Sequence, residues 1–271
     1  MKNITISCRC CNEVAEKIFN AKLLNNDIQY FECKKCEYVQ TEVPYWLDEA
    51  YANPINTSDT GVMERNVLNA RLVQMVLKLL KIQDSTVVDF AGGYGILVRL
   101  LRDRGIQALW SDGYCKNLLS GGFEFKTQTA ELVTAFEVFE HFVNPQIELK
   151  KLFAIAPNVL LSTLIIPKPI PASADWWYYG LEHGQHIGFY SLETLRYLAT
   201  TQDKYLYTDG NSIHLMTTKK LSNFAWKSML FKLRILAYIK RKTTKSLIIS
   251  DFNYMQSSRV INNLSQDKKD L

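Results

Sequence analysis

The stretch that most constrains this chain runs from Val87 to Gly95, where a short β-branched run ends in a glycine-rich turn. The run predicts a buried strand, and Gly92, Gly93 and Gly95 let the backbone turn sharply and approach a ligand closely. A helix is predicted over Ile96 to Arg104, beginning where its first N–H groups can stabilise polar ligand atoms. This order of strand, turn and helix predicts an α/β fold with a nucleoside-cofactor site at the turn.

A second predicted strand supports a cofactor at this turn. The apolar run Gln107 to Ser111 ends in Asp112, about 20 residues after the first strand, where a carboxylate can accept both hydroxyls of a ribose. Glycine turns also occur in purely structural loops. The combination of turn and carboxylate is therefore what predicts a ribose-bearing cofactor.

The glycine spacing indicates which cofactor this is. No GxGxxG follows Asp89, and the stretch instead resembles the first motif of class I S-adenosylmethionine (SAM) methyltransferases, Asp-x-Gly-x-Gly-x-Gly, with Ala91 in place of the first glycine. The resemblance implies that this loop passes under the methionine moiety, that the acidic residue after strand two holds the ribose, and that the end of strand four lies beside the sulfonium. The residues expected to bind SAM are Asp89, Ala91, Gly92, Gly93, Tyr94, Gly95, Asp112, Gly113, Tyr114, Phe136 and Glu137.

The segments downstream follow the order of the same family. Leu132 to His141 resembles its fourth strand with a Glu-x-x-Glu-His ending, and Asn158 to Leu164 is the expected fifth strand. The runs Lys204 to Thr208 and Ser212 to Thr218 complete an expected Rossmann-like, seven-stranded α/β sheet with helices on both faces and an antiparallel last strand. Only Phe123 to Lys126 is available as the third strand, so the adenine contacts are not assigned. The other helices are expected at Val62–Lys81, Gln146–Ala156 and Leu192–Thr200.

Five of the six cysteines lie within the first 36 residues, as two Cys-x-x-Cys pairs with Cys10 inside the first. Pairs separated by about 20 residues are typical of a tetrahedral zinc-thiolate site, with disulfides as the alternative. The expected ligands of this structural zinc are Cys8, Cys11, Cys33 and Cys36. Cys10 is a substitute ligand, and Cys115 is expected to be only a small residue near the cofactor loop.

Charge and composition divide the chain into four expected parts: a zinc-ribbon-like module (1–43), an aromatic connector (44–61), the methyltransferase domain (62–218) and a basic, helical extension (219–271). The module has no net charge, the region 44–218 has a net charge of −4, and the extension has +9. A neutral ribbon and an acidic catalytic region favour a small-molecule or sugar substrate over a nucleic acid. The N-terminus shows no secretory signal and no run spans a bilayer, so we expect a cytoplasmic protein.

The basic extension has two interpretations. Its apolar and basic residues, from Lys219 to Lys242, suit an interfacial helix bound to anionic lipid, which would be a peripheral membrane contact. The alternative, which we favour, is a terminal helix that packs on the sheet or on a partner subunit of a homo-oligomer. The polar end, Gln256 to Leu271, is expected to fray.

Substrate chemistry is expected in the segment Asp175 to Ser191, which combines four consecutive aromatic residues with a Glu-His pair and a second histidine. Aromatic faces pack on sugar rings, polar side chains bind their hydroxyls, and histidine can remove a proton near neutral pH. The alternative is a buried aromatic loop with structurally bonded histidines. The candidate bases are, in order, His183, His186 and His141, with Glu182 or Glu140 orienting a histidine. Arg65 and Asn66 are possible cofactor or substrate contacts, and His214 is expected to be structural.

The motifs Glu137 to His141 and Gly184 to Ile187, with the glycine loop, also resemble bacterial methyltransferases of sugar and surface-polysaccharide biosynthesis. A cysteine module ahead of the SAM fold resembles deoxysugar C-methyltransferases. The resemblance implies methyl transfer to a sugar, nucleotide sugar or glycan intermediate. A phenolic or other small metabolite is the alternative substrate, and a non-catalytic SAM-binding assembly protein is the alternative function.

Overall fold

The computed structural model describes residues 4–52, 59–239, 246–255 and 257, and within them it contains two β-sheets. The N-terminal sheet begins with β1 (Thr5–Ser7), β2 (Val14–Leu23), β3 (Asn26–Cys33) and β4 (Val39–Thr41), each antiparallel to its neighbour. A short helix, α1 (Leu47–Ala50), follows.

The rest of the chain supplies the strands and helices of the larger sheet, together with one further strand of the N-terminal sheet. They are α2 (Val62–Leu80), β5 (Val87–Phe90), α3 (Ile96–Arg102), β6 (Ala108–Ser111), β7 (Leu132–Phe136), α4 (Pro145–Ile155), β8 (Asn158–Ser162), β9 (Gly188–Phe189), α5 (Leu192–Thr201), β10 (Tyr205–Thr208), β11 (Ile213–Thr217) and α6 (Asn223–Ile239). The sheet order is β10-β11-β8-β7-β5-β6. β5 is parallel to β6 and β7, and β7 to β8, whereas β11 is antiparallel to β8, as the sequence predicts.

This sheet has six strands among the described residues, one fewer than expected. The weak third segment lies beside β6 but pairs through a single parallel bridge between Trp110 and Glu124. Trp110 N donates to Phe123 O (2.8 Å), and Phe125 N donates to Trp110 O (2.7 Å). The Glu124 carboxylate accepts from Asn117 Nδ2 and from the Gly122 N–H, which folds the segment back into a turn. The local turn therefore replaces a longer strand.

Capping side chains fix the helices that border the site. Asn144 caps α4 by accepting the N–H of Ile147, and a proline stands at the first helical position, where its missing N–H costs no hydrogen bond. Ser191 and Thr194 form a reciprocal capping box at the start of α5. Because these caps set where each helix starts, they also set the position of the loops that precede α4 and α5.

The two sheets are connected through β9. This strand follows β8 of the larger sheet in the chain, but it pairs with β4 of the N-terminal sheet. The pairs are Val39 with Phe189 and Gln40 with Gly188. One contiguous cluster of buried side chains contains residues from both sheets, including Cys8 and Val133. The N-terminal sheet thus packs on the same core as the larger sheet.

Helix α6 packs one face on the protein, which is the favoured interpretation of the extension. Trp226, Met229, Leu230 and Leu233 are buried, in the same cluster as the buried face of α2. The opposite face leaves Phe224 largely exposed, together with the apolar Phe231 and Ile235. Membrane contact through this opposite face stays a prediction. The basic run Lys240 to Lys242 lies outside the described residues, as does the polar end from Gln256 except Ser257. Within the described ranges, none of the helices has the length and apolar character needed to cross a bilayer.

We predict that Trp226→Ala destabilises the protein far more than Phe224→Ala does. The Trp226 ring is 2% exposed and its Nε1 donates to Thr208 O at 2.9 Å, whereas Phe224 is 79% exposed. Truncating a buried tryptophan costs about 3 to 5 kcal/mol, and an exposed substitution typically changes stability by less than about 0.5 kcal/mol. Urea unfolding of both variants measures this difference, and equal losses would show that α6 does not pack as described.

Candidate active site

The glycine turn lies at the carboxyl end of β5, where Asp89 ends the buried part of the strand. A Cβ on Gly92 would lie 2.8 Å from Asp89 Oδ2 and 3.0 Å from Trp110 Cδ1, so this position has no room for a side chain. Trp110 Nε1 donates to Gly93 O at 2.8 Å, and this hydrogen bond holds the turn against β6. Ala91, which stands where the motif has glycine, has a left-handed φ of +54°. The turn is therefore a tightly packed backbone cradle.

Asp112 follows β6 and ties this turn to the next loop. Its Oδ2 accepts the Gly93 N–H (2.8 Å), and its Oδ1 accepts the N–H groups of Tyr114 (2.7 Å) and Cys115 (2.8 Å). Each carboxylate oxygen has more than one acceptor site, so Oδ2 retains capacity for a ligand hydroxyl. The expected ribose-binding carboxylate is thus placed beside the glycine turn, and Tyr94 and Tyr114 are exposed around it.

Asp89 is 4% exposed, and its Oδ1 accepts from Thr134 Oγ1 of β7 at 2.7 Å. Burial raises the pKa of Asp89 to about 7, an effect that the Thr134 hydrogen bond opposes and the Asp112 charge reinforces. Asp89 thus fixes β5 to β7 from inside the sheet.

The carboxyl end of β7 carries the expected sulfonium-side residues. Phe136 is half-buried, and Glu137 is exposed with a left-handed φ of +54°, an uncommon conformation for a residue with a Cβ. Ser162 of β8 holds Glu137 in place, since its hydroxyl donates to Glu137 Oε1 and accepts the Glu137 N–H at 2.9 Å. Such local strain is typical of functional sites.

The fold brings the three histidines that are the candidate bases close together, beyond the end of β7. The ring centroids of His141 and His186 are 5.0 Å apart, and those of His183 and His186 are 4.7 Å apart. His186 Nδ1 donates to Tyr178 O at 2.7 Å, and His183 Nδ1 accepts the Gln185 N–H at 3.1 Å. Burial lowers the pKa of His141 to about 3 and that of His186 well below its usual range, so both rings are neutral near pH 7.

Glu140 belongs to the same cluster and is fully buried. Neither of its carboxylate oxygens accepts a hydrogen bond of normal geometry from the described residues, although the Tyr178 and Thr163 hydroxyls are near enough to lower its pKa. Burial, followed by repulsion from Glu137, outweighs them and raises the pKa of Glu140 to about 8. One oxygen of Glu140 and one nitrogen each of His141 and His186 all lie within 4.8 Å of one another.

Other expected site residues are placed differently. Glu182 is exposed, and no hydrogen bond within the described ranges joins it to a histidine, so Glu140 is the carboxylate at the cluster. Tyr178 and Tyr179 are buried in the core behind the loop, which leaves Trp177 as its exposed aromatic residue. Most of the aromatic segment therefore packs in the core rather than facing a ligand.

Hydrogen bonds show what the other three candidate side chains contact. Arg65 pairs with Asp59 and its charge interacts with Glu137, while Asn66 Nδ2 donates to Val62 O within its own helix. His214 is fully buried between Thr208 Oγ1 and Thr163 O, which confirms the structural role expected for it.

Tyr51, just after α1, is a site residue that sequence reasoning missed. Its ring stacks on Tyr114 with centroids 4.7 Å apart, and its hydroxyl shares a 2.9 Å hydrogen bond with His141 Nδ1. The 183–187 loop holds the connector in place, because Trp46 Nε1 donates to Gly184 O and Gln185 Nε2 donates to Ala50 O. The aromatic composition of the connector is the signal that the sequence offers there, and it does not single out Tyr51.

The four expected zinc ligands meet at one point. Sγ atoms of Cys8, Cys11, Cys33 and Cys36 all lie within 4.8 Å of one another, with Cys8 to Cys36 at 3.6 Å and Cys11 to Cys33 at 3.5 Å. Thiolates at ~2.3 Å from a tetrahedral zinc are about 3.8 Å apart, whereas bonded sulfurs are at about 2.05 Å. The arrangement therefore fits a metal better than a disulfide.

The fold and the site define an α/β domain with a cofactor cradle at the carboxyl ends of its parallel strands. The sequence model of the family described as "Methyltransferase domain" matches residues 63–203. The chain belongs to this family, and the larger sheet is the core of a class I SAM-dependent methyltransferase domain.

Among curated proteins, no sequence matches this chain. Its fold is similar to that of the plantazolicin methyltransferase BpumL (12% identity, 74% of this chain and 89% of that one, TM-score 0.47). It is also similar to the calicheamicin-biosynthesis methyltransferase CalO1 (15%, 55% of each chain, TM-score 0.39) and to monomeric WbdD (16%, 59% and 42%, TM-score 0.39). The chain thus spans about half the length of CalO1 and 62% of TnmH. Likenesses this low do not bear on the substrate.

We predict that Asp89→Asn becomes progressively more stable relative to the wild type as pH rises from about 4 to about 7. The pKa of Asp89 is raised in the fold, so its contribution to stability is fully present below its unfolded pKa of 3.8 and is lost as pH rises to about 7. The asparagine does not titrate, and the difference grows by at most about 1.4 kcal/mol per pH unit. Urea unfolding at pH 5 and pH 8 measures it.

The matched control for that experiment is Asp103→Asn. Asp103 is exposed and pairs with Arg99 one helical turn earlier. A pH-dependent difference found for Asp89→Asn and not for Asp103→Asn would assign the effect to the buried carboxyl. An Asp89→Asn difference that stayed constant with pH would contradict a raised pKa.

Proposed function

We propose that this protein is a SAM-dependent methyltransferase that acts on a sugar, nucleotide sugar or glycan intermediate. The observation that carries this proposal is the Tyr51 bridge. Tyr51 stacks on Tyr114, next to the Asp112 carboxylate, and its hydroxyl contacts His141. One side chain thus links the loop expected to hold the cofactor to a cluster of groups that can bind and activate an acceptor.

The residues of the glycine cradle fit the expected cofactor. When bound, SAM supplies a methyl group carried on a sulfonium. The Gly92 and Gly93 backbone offers a surface without side chains, and Asp112 Oδ2 offers acceptor capacity for ribose hydroxyls. Exposed Glu137 would line the methionine side and place negative charge near the sulfonium.

The cluster of Glu140, His141, His183 and His186 would position and activate the acceptor hydroxyl. A carbonyl can only accept, so His186 Nδ1 carries its proton and Nε2 keeps a lone pair. Conversely, His183 Nδ1 accepts an N–H, so in the neutral ring Nε2 is the donor. Because an N–H already occupies Nδ1 of His183, the first candidate base, that nitrogen is not open to a substrate proton, and His186 replaces His183 as the basic group.

Sugar specificity is supported by the polar character of this cluster and by the exposed Trp177 ring on the same loop, which can pack on the C–H face of a sugar. A phenolic acceptor is the second candidate, favoured by the stacked rings of Tyr51 and Tyr114. A non-catalytic SAM-binding protein is the third, and it predicts cofactor binding with no turnover.

We also propose that Cys8, Cys11, Cys33 and Cys36 hold one structural zinc. Both knuckles are attached to the methyltransferase helices, since Gln146 Nε2 donates to Cys10 O (2.6 Å) and Thr194 Oγ1 donates to Cys36 O (2.8 Å). With four thiolates the zinc has no open position for a substrate. Its role would be to fold the N-terminal sheet.

We predict that Asp112→Asn and His186→Ala separate cofactor binding from turnover. Losing a charged acceptor costs about 1.5 to 3 kcal/mol, so Asp112→Asn should weaken binding of S-adenosylhomocysteine (SAH) at least tenfold. His186→Ala should retain SAH binding and lose methyl transfer. Calorimetry with SAH and a methylation assay over nucleotide sugars and phenols measure both.

Asp103→Asn, an exposed aspartate on the same domain, is the control for the charge change. SAH binding in the wild type without methylation of any acceptor would favour the non-catalytic alternative. Full activity of His186→Ala would remove the cluster from catalysis.

Loss of a zinc ligand should unfold the N-terminal sheet. We predict that native mass spectrometry finds one zinc per wild-type chain and none bound to Cys33→Ser, with a lowered melting temperature, because metal binding contributes directly to folding. Cys115→Ser is the control, since Cys115 lies outside the cluster. A zinc-free wild type that melts normally would contradict the proposal.

A further inference from the structure

We propose that Glu140, His141 and His186 form a binding site for one divalent cation, which holds the oxygen of the methyl acceptor. The cation site itself depends only on the geometry of these residues. Its role toward the acceptor rests on the proposed function.

The donor atoms are already gathered. One ligand atom from each of the three residues lies within 4.8 Å of the other two. Metal ions bind imidazole nitrogen and carboxylate oxygen at about 2.0 to 2.2 Å, so donors around one ion are about 3 to 4 Å apart. Small side-chain rotations are enough to close the site. Two histidines and one carboxylate leave positions open for further ligands.

The buried carboxylate is the second, independent observation. Glu140 is 0% exposed, and both of its oxygens lack a hydrogen-bond partner of normal geometry among the described residues. A buried polar group without a partner costs about 1 to 3 kcal/mol, and more when charged. The Glu137 carboxylate is close enough to repel it electrostatically. A cation bound to Glu140, His141 and His186 would give the Glu140 oxygens a partner and would offset the repulsion from Glu137.

The imidazole rings of His141 and His186 are held by hydrogen bonds in the way that metal-bound histidines usually are. Metal-bound histidine usually donates its other ring N–H to a carbonyl, carboxylate or water, which fixes the tautomer. His186 does this through Nδ1 to Tyr178 O, and His141 Nδ1 is fixed by the Tyr51 hydroxyl. With Nδ1 of each ring engaged in these hydrogen bonds, Nε2 is the nitrogen left for coordination.

A cation here would supply what the cluster otherwise lacks, which is a positive charge on the acceptor oxygen. Coordination lowers the pKa of a bound hydroxyl. The O–H bond would then break with its electron pair left on the coordinated oxygen. The proton would pass to water, because His186 Nε2, the basic group of the metal-free cluster, would be a ligand of the cation. A vicinal diol, as in a sugar, can occupy two open positions at once, so the site favours acceptors with neighbouring hydroxyls.

Manganese is the appropriate probe, because Mn²⁺ takes carboxylate and imidazole ligands and competes poorly for the four thiolates. Zinc-loaded full-length protein is washed with a weak chelator and titrated with Mn²⁺, and free Mn²⁺ is measured by electron paramagnetic resonance. We expect one Mn²⁺ per wild-type chain, and at least tenfold weaker binding in both Glu140→Gln and His186→Asn. Glu182→Gln, an exposed carboxylate on the same loop, should bind as the wild type does.

Either no Mn²⁺ binding by the wild type or equal binding by all variants overturns the cation site. SAH calorimetry on the same samples keeps this result separate from the proposed function. SAH binding without Mn²⁺ binding removes only the cation. Failure to bind SAH contradicts the methyltransferase assignment whatever the Mn²⁺ result.

Discussion

The pairing of β9 with β4 is the interaction on which the site depends. Two residues after His186, the chain enters the N-terminal sheet, where Gly188 pairs with Gln40. Ile187 is held from both sides, since its N–H donates to Glu140 O at 2.8 Å and its carbonyl accepts the Thr41 N–H at 3.1 Å. The histidine loop therefore has little freedom of its own. The geometry of the cluster is set by a sheet that the cysteine site is proposed to fold, so a change at the cysteines is expected to reach the site through the backbone.

The parallel strands and the position of the glycine turn at their carboxyl edge could be predicted from the sequence, because each depends on a short continuous segment. A buried strand such as β5 is a continuous apolar run, and the residue that ends it lies at the edge where ligands bind in open α/β sheets. Asp112 and Glu137 follow the same rule. The two Cys-x-x-Cys pairs carry their own geometric signal.

The rest depends on contacts between segments far apart in the chain. β9 has only two residues and forms because β4 presents a free edge, so nothing in its own sequence marks it as a strand. Tyr51 meets His141 across 90 residues. The aromatic run at 176–179 was expected to face a ligand, but apolar rings fit a core equally well, and the tertiary packing placed most of them inside. The spacing of apolar residues along the sequence cannot show whether an aromatic side chain packs in the core or faces a ligand.

Ala91 shows how the chain tolerates its departure from the family motif. At φ +54° an alanine is less favourable than a glycine by about 1 to 2 kcal/mol. A glycine there would relieve that strain, but it would give the unfolded chain more conformational freedom, which costs about 0.5 to 1 kcal/mol. The strain is the larger of the two terms, so glycine at this position would make the fold more stable by up to about 1.5 kcal/mol. Ala91 is therefore a position where the chain keeps a methyl group on the glycine turn and loses folding free energy by doing so.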